Sequence, residues 1–431
     1  MRFKKILSIA ALALGTLLPA QAQITAYVCD KYDYDAIDIE SQTDVVFSDD
    51  QLYVTIGSET FEVADIDSIV FTKPQFPSVD IVWDGSTATV TIPSSITGVS
   101  YSTNGGHVTI VSTNTTDELL YTLSGSSTNG SLTLTGSYKL TMHLDGVELT
   151  NPSGAAVDIE CGKRIEVKMM KGTTNTFIDG ASGDQKAAFY TKGHLELKGK
   201  GTLNVTGNTK HALCAKEYLM LKPSTGTINI LGAVNDGIHC GEGSKAVADY
   251  EDCRFIMNGG TVTISNCLKD CIDADDYGSM FINNGSLTLN VSAADGIGLS
   301  CDSILTMTGG DITLNVTGTE AQGIRSCYTG YYQGGNITGT VSGSGSKGIR
   351  GRKITKTSGT VLNGGNLYFQ GTNVNLTATG ASTSSATCAG IYVDADLYQT
   401  AGNLYVNASG TATDFYVKGT DSQTGGTRTA Q

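Results

Sequence analysis

Positive charge is scarce in this sequence: 28 Lys and Arg stand against 42 Asp and Glu, a formal net charge of −14. A surface of that sign repels nucleic acid and anionic membranes, so neither is expected as a partner. Proline occurs only six times, and no stretch of useful length shows the 3.6-residue apolar spacing of an amphipathic helix. Beyond residue 22 no apolar run is long enough to span a bilayer as a helix, so no transmembrane segment is expected. The five histidines are scattered, and no Cys/His set has zinc spacing, so His211 and His239 read as coil-surface residues. There is no P-loop and no nucleophile elbow. The glycine-rich turn around Lys347 lacks the following helix that a phosphate cradle needs.

What the chain does have begins with its leader. Arg2, Lys4 and Lys5 precede an apolar run from Ile6 to Leu18, and Ala20-Gln21-Ala22 offers small residues for a peptidase. This is the pattern of a cleaved signal peptide over residues 1–22, which implies a secreted protein in the periplasm, on the cell surface or outside the cell. Cys29 does not sit at the cleavage point, so no lipoprotein anchor is expected. All ten cysteines follow the leader, in an oxidising compartment, but they lack the spacing of a small disulfide scaffold. Cys240 and Cys253 are a candidate pair.

The 53 glycines, with abundant Thr, Val, Ile, Ser and Asn, favour many short strands joined by tight turns. The stretches from Gly259, Asn284, Gly309 and Gly334 are variants of one unit, and the second residue of each is a glycine, at 260, 285, 310 and 335, a constant step of 25. Gly201 and Gly226 carry the same mark upstream, and Gly365 and Gly402 downstream after longer insertions. A fixed period in the twenties, built of alternating strand residues, means a solenoid. The Leu/Asn frame of a leucine-rich repeat is missing. The expected fold is therefore all-β, a right-handed parallel β-helix of about 25 residues per coil over residues 77–431. Residues 77–145 would form irregular first coils and a cap. Residues 23–76 read as a small N-terminal β module ending in a linker at "KPQFP".

Stacking the coils turns isolated residues into columns. One runs His211, Asp236, Asp270, Asp295, Gln322, Lys347; a second runs Cys214, His239, Asp273, Gly298, Arg325, Arg350. Ile238, Ile272, Ile297, Ile324 and Ile349 would form a buried ladder between them. Carboxylates one strand spacing apart repel unless water, a shared proton or a cation separates them. Calcium, with oxygen ligands at about 2.3–2.6 Å, suits that spacing better than magnesium, which makes Asp236, Asp270, Asp273, Asp275 and Asp295 candidate metal ligands. A solvated acidic turn, or Asp side chains bonding backbone N–H groups at coil corners, is the alternative. Tyr328, Tyr331 and Tyr332, read as one turn, could stack on sugar rings or pack across a corner.

The "GVELTNPSGAAVDI" and "KGTTNTFIDG" stretches, with the "DGIHC", "DGIGLS", "QGIRS" and "KGIRG" cassettes, resemble a secreted family of carbohydrate-binding parallel β-helices related to polysaccharide lyases. The likeness covers roughly Ile81 to Asn407. Cys271 after Asp270 and Ala212 after His211 depart from its cassette glycine. The N-terminal "FEVADIDSIVF" resembles short modules common on secreted proteins of Bacteroidota-type bacteria. The resemblance implies binding of cellulose or of acid sugars such as polygalacturonate, with bound calcium. On that reading Arg325, Arg350 and the three tyrosines are candidate carbohydrate-binding residues, and the protein is a non-catalytic polysaccharide binder. A calcium-dependent pectate-type lyase, with Lys269, Arg325 or Arg350 as base, is the first alternative. A structural or adhesive cell-surface protein is the second.

Overall fold

The computed structural model describes residues 24–29, 34–39, 44–49, 51–72, 74–241, 254–274, 278–353 and 364–430. The chain divides into two compact units at Gln75/Phe76, one residue from the boundary read in the sequence. In the first unit all strand pairing is antiparallel among the described residues. Tyr34–Ile39, Ile24–Cys29 and Ser68–Val70 form one sheet, and Val45–Phe47, Tyr53–Ile56 and Glu59–Glu62 a second. Val28, Ile37, Val54, Ile56 and Phe61 make its own apolar core.

The second unit is all-β and solenoid-like. Three stacks of short strands run along it, each strand pairing in parallel with its equivalent one repeat later. The repeat from Ser286 shows why. In Ser286–Val291, Leu287, Leu289 and Val291 are buried while the alternate residues face outward. Asp311–Val316 stacks on it with Ile312, Leu314 and Val316 in register. Each such buried side chain contributes on the order of 1.5–3 kcal/mol, and one continuous apolar core runs the length of the unit. The 25-residue step lies in the turns. Gly310 has φ +80°, and a Cβ there would sit 2.9 Å from the Gly285 carbonyl oxygen, so neighbouring turns nest only without side chains.

The stack is closed at its first end by antiparallel hairpins, Ser78–Asp84 with Thr87–Thr91 and Val99–Asn104 with Gly106–Ser112. Trp83 is buried there and its indole N–H donates to the Gly106 carbonyl at 2.7 Å. No helix among the described residues is long and apolar enough to cross a membrane.

The buried cassette ladder differs from expectation at one rung. It runs Leu213, Ile238, Ile272, Leu299, Ile324, Ile349, Ile391; Ile297 instead pairs with Gln322. The "DGIGLS" cassette contains two overlapping apolar-glycine pairs, and the second is the one in register. A two-residue slip leaves every side chain on its original face, so alternation alone does not distinguish them.

Candidate functional site

The outward face of the His211–Ala215, Ile238–Cys240, Ile272–Ala274 and Ile297–Cys301 stack carries the strongest cluster of chemistry. Asp236 and Asp270 each precede their buried Ile by two residues, on the same face of successive coils. One oxygen of each is pinned by the next coil. Asp236 Oδ1 accepts the Asp270 N–H at 3.2 Å, and Asp270 Oδ1 accepts the Ile297 N–H at 2.9 Å. The second oxygen is thereby aimed into the cluster. Asp236 Oδ2 lies 3.2 Å from His211 Nδ1 and 3.1 Å from His239 Nδ1, and His239 Nδ1 is 3.4 Å from Asp273 Oδ2. The two imidazoles stack with centroids 4.1 Å apart. His211, Asp236, His239, Asp270 and Asp273 are all buried.

Burial removes the solvated-turn reading for Asp236, Asp270 and Asp273, because little water reaches them, while the bonds of Asp236 and Asp270 to backbone N–H groups of the next coil are those of the coil-corner alternative. The charges must then be balanced from within. For Asp236, burial opposes ionisation but the two imidazoles beside it, His211 and His239, prevail and hold its pKa well below the usual carboxylate range. His239 is likewise opposed by burial, yet its bonds to Asp236 and Asp273 push its pKa up to about 9. His211 goes the other way: burial outweighs Asp236 and lowers it, and neither of its ring nitrogens has a well-aligned hydrogen-bond partner. Asp270 is pushed up to about 7, by burial first and then by the charges of Asp273 and Asp236. Two sets of ligand atoms converge within 4.8 Å: His211, Asp236 and His239, and Asp236, Asp270 and Asp273. The all-oxygen set suits a hard cation such as calcium, and the set with two imidazoles a borderline one such as zinc.

The histidines were misassigned from sequence as coil-surface residues. Their place in the carboxylate columns was the available signal, since a column on one outward face brings all its members together. Asp295 corrects the opposite way. It is exposed at a left-handed turn with φ +58°, and the residue facing Asp270 is Ile297, so it stands outside the cluster. Gly298 likewise leaves the second column, where Ser300 takes its place between Asp273 and Arg325. Asp275 and Cys253, and with Cys253 the Cys240 pairing, lie outside the described residues.

Further along the same face the character changes from acidic to cationic and aromatic. Arg325 donates to Ser300 Oγ at 2.7 Å and to Asp302 Oδ1 at 3.2 Å, and Arg350 to Asp394 Oδ2 at 3.0 Å. Burial alone would weaken the Arg325 charge, but Cys327, Asp302 and Asp270 outweigh it and raise its pKa. Lys347, Arg350 and Lys418 surround the Tyr392 ring at 5.3–5.5 Å, and Tyr392 stacks on Tyr416. Sequence reasoning missed Asp302, one 25-residue step before Cys327, and also Asp394, Tyr392 and Tyr416, which lie beyond the longer insertion that follows Arg350.

The three tyrosines do not share one turn. Thr329–Tyr332 is a strand, so Tyr331 points out and Tyr332 points in, fully buried against Phe369. Tyr332 therefore cannot touch a sugar. Tyr331, Tyr368 and Tyr398 form an outward ladder with rings 5.2 and 4.9 Å apart, whose faces cover one another. Tyr328 alone of the three nominated rings is well exposed, at 49%.

A model of a carbohydrate-binding domain-containing family matches residues 104–430. Comparison with curated proteins returns no match. Among solved structures, the chain is similar to a polysaccharide lyase-like protein from C. thermocellum, determined as a gadolinium derivative. The two are 16% identical over 72% of this chain and 98% of that one, with a TM-score of 0.40. With the family model covering most of its length, the chain belongs to the carbohydrate-binding domain-containing family.

Proposed function

We propose that this is a secreted, non-catalytic polysaccharide-binding protein, its three strand stacks wound as a right-handed parallel β-helix. On this reading calcium held by Asp236, Asp270 and Asp273 bridges the acidic protein to acid-sugar polymers such as polygalacturonate. The observation that carries it is the convergence of those three carboxylates, buried on the outward face of one stack in a chain of this family. Carboxylates forced together away from water favour a bound cation over mutual repulsion. Neutral glucans such as cellulose would be held without the ion.

A non-catalytic role is supported by the surroundings of Arg325, His239, His211, Lys269 and Arg350, the last paired with Asp394 at 3.0 Å. A lyase must abstract the proton α to the uronate carboxylate. The Arg325 guanidinium is kept charged and paired with Asp302. His239 is bonded to Asp236 and Asp273, which favours its protonated form, and His211 is stacked on the His239 ring and more deeply buried than Asp273. The Lys269 ammonium lies 3.9 Å from Asp236 Oδ1. The test is incubation of purified protein with calcium and polygalacturonate, followed by ultraviolet absorbance and a glycan-binding titration with and without chelator. Chelator-sensitive binding with flat absorbance is expected. A steady rise in absorbance would establish the lyase reading, and no binding to any glycan the adhesive one.

A further inference from the structure

A second polar site lies nearer the first end of the unit, on the outward face of the same stack. Ser131 and Thr133 on Gly130–Thr135, Asp158 and Glu160 on Val157–Glu160, and Tyr190 on Ala187–Thr191 form its floor. Residues 151–155 and 184–186 form its rim, enclosing a cleft of about 350 Å³. That volume falls at the small end of the range for small-molecule sites and far exceeds one water.

Two acceptors in the lining are buried without a donor: Asp158 Oδ1 and Gln185 Oε1. The Gln185 amide is fixed in orientation, because its Nε2, with two N–H groups, is surrounded by three acceptors: Asp179 Oδ2 at 3.1 Å, the Gly180 carbonyl at 2.9 Å and Thr209 Oγ1 at 2.7 Å. A buried acceptor is costly until a donor reaches it, so the cleft calls for a ligand rich in hydroxyl donors. Three carboxylates, Asp158, Glu160 and Asp184, line it against Lys186, with Lys192 paired to Glu160 at 3.1 Å, so the lining stays net negative and disfavours uronates and phosphates. Lys186 itself sits over the Tyr190 ring, 5.0 Å from its centroid, where it can donate to a ring or glycosidic oxygen.

We infer that this cleft is a subsite for one neutral hexopyranose or pentopyranose residue of a polysaccharide, separate from the Asp236–Asp273 cluster and independent of any metal. Sugar hydroxyls donate to Asp158 and Gln185, and Ser131, Thr133 and Ser153 complete the polar lining. The inference rests on the carbohydrate-binding reading and adds to it a place and a ligand class.

Calorimetric titration of the full chain with cellohexaose, mannohexaose and xylohexaose, all in chelator, tests it beside polygalacturonate with calcium. At least one neutral oligosaccharide should bind in chelator. Asp158→Leu and Thr133→Val, which remove hydrogen-bonding groups while keeping bulk, should each weaken it tenfold or more. Since Asp158 Oδ1 has no partner to lose, the melting temperature should stay level or rise. Thr133→Val serves alone if Asp158→Leu fails to fold. Unchanged affinity in the variants would overturn the subsite. So would polygalacturonate binding with no neutral oligosaccharide binding, which would leave the proposed function standing. If no glycan bound at all, both would fall.

Discussion

Asp270 is held between two demands: its backbone-pinned oxygen fixes the carboxyl in place, and burial beside Asp273 and Asp236 resists its charge. Replacing it with Asn removes the charge and keeps the shape. Without calcium, Asp270→Asn should leave the melting temperature level or slightly raised, because the substitution relieves repulsion in a buried site. With millimolar calcium the wild type should gain stability by mass action and the variant should lose most of that gain. Equal calcium responses in scanning calorimetry would remove Asp270 from the ligand set. The sequence placed this residue beside Asp236 because Asp236, Asp270 and their isoleucines repeat in one frame. It misplaced Asp295 because the neighbouring cassette offers two frames two residues apart, and only the backbone pairing of Ile297 with Gln322 selects between them.

Among the elements, the turns and the charged strands make separable contributions. The glycine step of 25 was the plainest signal in the sequence, and its cause is steric. Gly310 and Gly172 both adopt left-handed φ, +80° and +81°, but a Cβ at Gly172 meets nothing within 4 Å, whereas at Gly310 it meets the Gly285 carbonyl at 2.9 Å. Gly172→Ala should therefore cost about 1 kcal/mol for the backbone conformation alone, and Gly310→Ala about 1–3 kcal/mol, measured by denaturant unfolding. Equal costs would mean that the close stacking is not what fixes the glycine. On a neighbouring stack, Glu166 pairs in register with Glu196 and Lys168 with Lys198, and the like charges are offset by cross-pairs such as Lys198 to Glu166 at 2.7 Å. Glu118 anchors that network through Arg164 and Lys139. Burial would raise its pKa, but those cations outweigh it and lower the pKa below the ordinary 4.5. A depressed carboxyl stabilises the fold fully above its unfolded pKa and loses that contribution as pH falls through the folded one. Glu118→Gln should thus cost about 1–3 kcal/mol at pH 7, discounted because Arg164 is partly exposed, and much less at pH 3. A pH-independent cost in thermal melts would rule out the ion pairing as its source. None of this network was legible in sequence, since its members sit on strands far apart in the chain and become neighbours only through the stacking.

Over the whole molecule, charge sets the terms on which any polymer is met. The chain's formal charge is −14, so a polyanion approaches against repulsion that screening weakens, whereas a neutral glycan feels no such field. Solenoid period, parallel pairing and acidity could all be read from composition and repeats, because each is a property summed over many coils; the cleft at Asp158 could not, because its walls come from three strands and two loops. Opposite salt dependences follow for polygalacturonate if calcium is the bridge. In chelator, any residual affinity should rise with sodium chloride, as added salt screens two negative partners from each other. With calcium present, affinity should be higher at low salt and fall as salt rises, as screening weakens the attraction between the bound cation and the uronate. Neutral oligosaccharides should show nearly flat profiles in both conditions. Titrations from about 20 to 500 mM salt span Debye lengths from roughly 20 Å to under 5 Å, enough to resolve the sign of each slope. If affinity for polygalacturonate fell with salt in chelator as it does in calcium, a basic patch and not a bridging ion would hold the polymer, and the surface around Arg350, Lys347 and Lys418 would become the binding face.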